Sequence, residues 1–125
     1  GTSGGACVGT MLLACPDRIE EALEYYCRGG LFRHATVEDV LDPTRRLLPR
    51  FIRDLDLLPV DAHEVVAGGQ DRPALTVHAT PLQLPLRNVA FSTFESNEEL
   101  INAVRASCCL HPGGVVVGGQ KYMDG

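Results

Sequence analysis

The tightest constraint on this chain is the junction between "GTSGG", residues 1–5, and the run "ACVGTMLLAC" that continues it without a break. Glycines at positions 1, 4 and 5 allow a sharp turn and a close approach of two elements, because no Cβ stands between them. From Gly4 to Cys15 the residues are small or apolar on nearly every side, which predicts a helix buried all round. Ser3 therefore stands in the turn that feeds a helix N-terminus. Strain there would hold its hydroxyl out of regular structure. The helix behind it would aim backbone N–H groups at negative charge developing beside the hydroxyl.

A length of 125 residues bounds the chain to one domain. Hydrophobic residues make up 45% and charged residues 22%, with no Trp and 6% aromatics, so the core must rest on Leu, Val and Ala. The formal net charge is -5 and no Lys/Arg-rich run occurs, which argues against nucleic acid as a partner. The cysteines are Cys7, Cys15, Cys27, Cys108 and Cys109, an odd number with no Cys-x-x-Cys pair and no histidine at metal-ligand spacing. They read as free thiols of a reducing compartment, packing as small hydrophobes with no assigned chemistry. No signal-peptide pattern occurs, and the run Ala6 to Cys15 is too short to span a bilayer, so any membrane contact is expected to be peripheral.

Further along, Pro16 suits the first turn of a second helix, with Asp17, Glu20 and Glu21 next and Ile19, Leu23 and Tyr26 on one face. Gly29 and Gly30 end it. Thr36 and Asp39 form a capping box, and Pro43 and Pro49 break or kink the stretch "LDPTRRLLPRFIRDLDLL", expected to form a mobile, partly exposed cap. Asp61 caps a short helix. "ALTVHAT" alternates Leu75, Val77 and Ala79 against Thr76, His78 and Thr80 and predicts a strand, with "NVAFSTF" a second. Pro81 and Pro85 interrupt the connection between them. Ser96 and Glu99 form a capping box opening "SNEELINAVRASCC", with Leu100, Ile101, Val104 and Cys108 at helical spacing. The tail "HPGGVVVGGQKYMDG" reads as turn-rich around a short apolar run.

Three readings of Ser3 compete. A flexible linker explains the glycines but not the continuation into core sequence. A Gly-x-Ser-Gly-Gly site of chymotrypsin type needs its histidine and aspartate upstream of the serine, which residue 3 does not allow. A Gly-x-Ser-x-Gly nucleophile elbow turns from strand into helix and matches the helical run after Ser3. No histidine comes after Asp124, and His34, His63, His78 and His111 read as packing, capping or connection residues.

With "GTSGG" at one end and "YMDG" at the other, the chain resembles the patatin-like phospholipase family, in particular its animal branch. The likeness runs through "ACVGTMLLACPDRIEEAL", "LPVDAHEVVAGG", "LTVHATPLQLPLRNVAFSTFESNEELINAVRASCC" and "GGQKYMDG". It implies an α/β fold, a three-layer α/β/α patatin-like sandwich, incomplete at the N-terminus because the family's elbow strand and glycine-rich oxyanion loop lie upstream. Residues 1–125 would be a partial catalytic domain of a longer protein, inactive or nearly so by itself. The family's Ser-Asp dyad maps onto Ser3 as nucleophile and Asp124 as base, with the Gly4 backbone N–H as oxyanion donor and Gly1 and Gly5 as elbow glycines. No metal and no cofactor is implied.

The implied activity is hydrolysis of lipid acyl esters through an acyl-enzyme, of triacylglycerol lipase, phospholipase or retinyl ester hydrolase type. The alternative is a catalytically weak lipid-binding or partner-binding protein of the same fold. Implied partners are a lipid ester substrate, a peripheral membrane or lipid-droplet surface and a protein co-regulator, in an intracellular, cytoplasmic setting. A free aspartate, with a pKa of about 3.9, is a poor base near neutrality, so positioning and oxyanion stabilisation must supply much of the rate.

Overall fold

The computed structural model describes residues 1–28 and 33–124, apart from the side chains of Tyr26, Val40, Pro43 and Thr44. The chain runs α1 (Gly4–Ala14), a 3-10 turn (Pro16–Arg18), α2 (Ile19–Cys27), α3 (Val37–Leu41), α4 (Pro43–Leu55) and α5 (Ala62–Val66). Then come β1 (Val77–Pro81), β2 (Val89–Phe91), α6 (Asn97–Cys108), β3 (Val115–Val117) and β4 (Gln120–Asp124). The expected helix stop at Gly29 and Gly30 lies outside the described residues.

Mixed helix and sheet is what the fold shows, with the four strands antiparallel in the order β2-β1-β4-β3. Residues paired across antiparallel strands share a face. The register therefore puts Val77, Ala79, Pro81, Phe91, Val115, Val117, Tyr122 and Asp124 on one side of the sheet. On that side α6 packs against β1, β3 and β4, and α1 and α5 pack against α6. The main core lies between them, built on Val77, Ala79, Leu100, Val104, Val115 and Val117 and closed by an edge-to-face contact of Phe91 with Tyr122 at 5.1 Å between ring centres. The opposite side carries the half-buried His78 and Thr80 and the exposed Val116 and Lys121.

A smaller cluster joins α2 to α4 through Cys15, Ala22, Phe51 and Leu57. The buried side of α2 is thus Ala22 with Tyr25, whose ring lies 5.7 Å from that of Phe51. Leu23, expected inward, is exposed because the neighbouring α4 presents its apolar side to the Ala22 face instead. Pro43 sits in the first turn of α4, where its missing N–H costs nothing, and Pro49 is accommodated inside one continuous helix. Leu47 and Phe51 point inward while Arg45, Arg46 and Arg53 are exposed, as expected of a partly exposed cap.

Three further expectations need correction. α1 buries Ala6 and Thr10, yet Val8 and Leu12 are 42% and 48% exposed, so the helix is not covered all round. Its packed side also carries Gly9, where an added Cβ would stand 3.0 Å from Leu75 Cδ1. Second, Ser96 caps α6 by accepting from Glu99 N–H at 3.1 Å, but Glu99 returns its carboxylate to the Glu95 N–H, so the reciprocal half of the box is shifted by one residue. Third, the tail is a regular β3–β4 hairpin, turned through Gly118 and Gly119 at φ 55° and 81°, a two-residue loop that needs positive φ at both positions.

Candidate active site

Ser3 is the last residue before α1 and adopts φ 52° and ψ −132°, a conformation that costs a side-chain-bearing residue about 1–3 kcal/mol. The turn is pinned from both directions. Thr2 O accepts from Gly5 N–H at 3.0 Å, Ser3 O accepts from Ala6 N–H at 2.9 Å, and Ser3 N–H reaches 104 residues along the chain to Ser107. There it donates to both the carbonyl oxygen at 3.0 Å and Oγ at 2.9 Å. The Gly4 N–H, next in line, has no hydrogen-bond partner among the described residues, and Gly4 is exposed.

Of the elbow glycines, Gly1 is the crowded one: a Cβ there would meet the Gly5 carbonyl carbon and oxygen at 3.0 Å, so that the backbone would have to give by a few tenths of an ångström. At Gly4 and Gly5 an added Cβ meets nothing within 4 Å, so no contact within the described residues demands glycine there.

Gly1 also ties the elbow to the sheet. Its amino group donates to Thr76 O, and its carbonyl accepts from His78 N–H at 3.0 Å, the bonding of a parallel neighbour facing Val77. Leu82 N–H, two residues beyond Thr80 on the same edge, donates to Lys121 O of β4. The elbow and β4 therefore lie along one edge of β1. Asp124 stands opposite Ala79, two residues from Val77, so the backbones of Gly1 and Asp124 are separated by about 7 Å along that edge.

Asp124 is half-buried, on the helix-covered side of the sheet, and its N–H donates to Cys109 O at 2.9 Å. Three consecutive residues at the end of α6 thus hold both candidate groups: Ser107 takes the amide of Ser3, and Cys109 takes the amide of Asp124. Cys108 lies between them in the chain. The Ser3 and Asp124 side chains are not hydrogen-bonded to each other.

The Cys108 thiol has a close neighbour. Cys7 Sγ, one turn into α1, lies 3.7 Å from Cys108 Sγ, well beyond the ~2.05 Å of a disulfide. The contact with Cys108 lowers the Cys7 pKa against the opposing effect of burial. Cys108 is pushed up, first by that same contact, then by burial and by the Cys7 and Asp124 charges, with the Ser3 hydroxyl opposing. Cysteines read from the sequence as inert packing groups are here neighbours of the candidate nucleophile; the only local hint was the "SCC" helix end.

The histidines are engaged elsewhere. His63 Nδ1 meets Asn97 Oδ1 at 2.8 Å, His78 Nδ1 meets Asn88 Oδ1 at 2.7 Å, and His111 Nδ1 accepts from Gly113 N–H at 2.9 Å, while His34 lies in an exposed connection. None is hydrogen-bonded through its side chain to Ser3 or Asp124. Among the described residues no cluster of three His, Cys, Asp or Glu is placed to hold a metal ion, and no helix is long and apolar enough to cross a membrane. Below the site, between α1, α4 and α6, lies an apolar cavity of about 20 Å³ lined by Cys7, Met11, Leu48, Phe51, Ile101 and Val104. It is about large enough for a single water-sized probe.

Comparison of the chain with protein-family models, with curated proteins and with solved structures finds no match.

Proposed function

We propose that this chain is the nucleophile-bearing part of a patatin-like lipid acyl-ester hydrolase, with Ser3 as nucleophile, Asp124 as base and the Gly4 N–H as an oxyanion donor. The observation that carries the reading is the strained Ser3 at the mouth of α1, beside an unengaged Gly4 N–H and with Asp124 fixed on the same sheet edge. In the proposed reaction Ser3 Oγ attacks the ester carbonyl carbon and passes its proton toward Asp124. The oxyanion is met by the Gly4 N–H at the start of α1, the alcohol leaves, and water cleaves the acyl-enzyme. Direct Ser3–Asp124 contact would form as substrate enters, since catalytic hydrogen bonds are often long in the free enzyme.

In the same proposal the fold is the family's three-layer sandwich. The helices packed on the α6 side of the sheet form one layer, the side bearing His78, Thr80 and Lys121 would receive the other, and a strand preceding Gly1 would continue the pairing that Gly1 makes at Val77. Substrate would be a lipid ester met at a membrane or droplet surface. In the full-length protein, Ser3→Ala is expected to abolish esterase activity toward lipid esters; equal activity in the two proteins would refute the reading.

With no hydrogen bond between the Ser3 and Asp124 side chains, one second reading is favoured, a lipid-binding or partner-binding protein of the same fold whose dyad is unproductive. Covalent capture of Ser3 by a fluorophosphonate separates the two, since an unactivated serine reacts poorly.

A further inference from the structure

Ser107 is fully buried in α6, among core residues that include Ala103, Val104 and Ala106. A hydroxyl in such a place is unfavourable unless it is hydrogen-bonded, and an alanine would fill the position with little change in volume. Here Ser107 Oγ accepts a hydrogen bond at 2.9 Å from one amide, 104 residues away, and that amide belongs to the residue with the strained backbone. The Ser107 carbonyl, 3.0 Å from the same N–H, accepts as well. A donor held by two acceptors on one rigid helix has a fixed direction, and the direction of the Ser3 amide helps set where its side chain and the next peptide point.

We propose that Ser107 is the positioning residue of the elbow: its hydroxyl and carbonyl together clamp the Ser3 amide, hold Ser3 at positive φ, and so fix the direction of the Ser3 hydroxyl and leave the Gly4 N–H unengaged. The clamp also occupies the Ser3 N–H, which leaves the Gly4 N–H as the oxyanion donor of the turn. The consequence for reactivity rests on the hydrolase reading; the clamp itself does not.

Ser107→Ala in the full-length protein tests this, because the retained carbonyl keeps Ser3 N–H bonded and the fold intact. The first readout is amide hydrogen exchange at Ser3 by NMR, and the second is the rate of fluorophosphonate capture of Ser3. Loss of one acceptor is expected to speed Ser3 exchange and slow capture, each by about twofold to tenfold. Leu100→Val, which weakens the same helix away from the elbow, is expected to leave both at wild-type values once matched for global stability. Unchanged exchange at Ser3 in Ser107→Ala overturns the clamp whatever capture does. Faster exchange with unchanged capture overturns its positioning role. If the wild-type protein is not captured at all, the hydrolase reading falls, and the exchange result alone decides whether Ser107 holds the turn.

Discussion

Gly114 is the position where one added methyl group should do most to separate Asp124 from the elbow. It has φ 62° at the entrance to β3, and a Cβ there would lie 2.7 Å from Tyr122 O and 2.7 Å from Leu82 Cδ1. Tyr122 is two residues before Asp124 and is paired on both sides, with Val115 and with Pro81, so it cannot retreat without moving the strand. Alanine at positive φ costs about 1–2 kcal/mol. Displacing packed backbone adds about 1–3 kcal/mol, so Gly114→Ala should lose about 2–5 kcal/mol, a large share of a typical domain's stability. Gly119 supplies the control: its φ is 81°, but an added Cβ meets nothing within 4 Å, so Gly119→Ala should lose only the backbone contribution of about 1–2 kcal/mol. Urea unfolding of the two variants measures the difference directly. If Gly114→Ala is no more destabilised than Gly119→Ala, the turn and β4 do not approach each other this closely.

Two other expectations come from titrating groups. Cys7 should be alkylated by iodoacetamide with a pH midpoint below that of an ordinary thiol, and Cys108→Ala should move that midpoint upward by removing the hydrogen-bond partner; equal midpoints in wild type and variant would contradict that pairing. The Asp39 carboxyl, capping α3, is held below its usual range by Thr36 N–H, then by the Thr36 hydroxyl and by Arg46 and Arg45, against burial. A depressed folded pKa stabilises above the unfolded value of about 3.9 and loses that contribution as pH falls through the folded value. Wild type should therefore exceed Asp39→Asn in stability by a constant margin above about pH 5 that vanishes in stronger acid, and a margin independent of pH would refute the cap's electrostatic role.

What could be read in advance was local. The helix start after Ser3, the strand around Val77 and Ala79 and the Ser96 cap each act within a few residues, and each is found there. α1 shows the limit of composition: with no polar stripe, its pattern does not say which side is left open. The β3–β4 hairpin had a signal in two glycines between Val117 and Gln120, but polar Gln120 and Lys121 break the apolar run and hide the second strand. The clamp at Ser107 and the contact of Cys7 with Cys108 join residues more than 100 positions apart, and no periodicity within either segment encodes which partner it meets.

Whether Ser3 and Asp124 work as a unit is tested most directly by fluorophosphonate capture, with the adduct mapped by mass spectrometry in the full-length wild type, Ser3→Ala and Asp124→Asn proteins. Expected are an adduct on Ser3 in the wild type, none in Ser3→Ala, and capture slowed about a hundredfold or more in Asp124→Asn, the scale on which catalytic proton transfer contributes. Capture of Ser3 at the wild-type rate without the Asp124 carboxylate, or no capture in the wild type, would contradict the dyad.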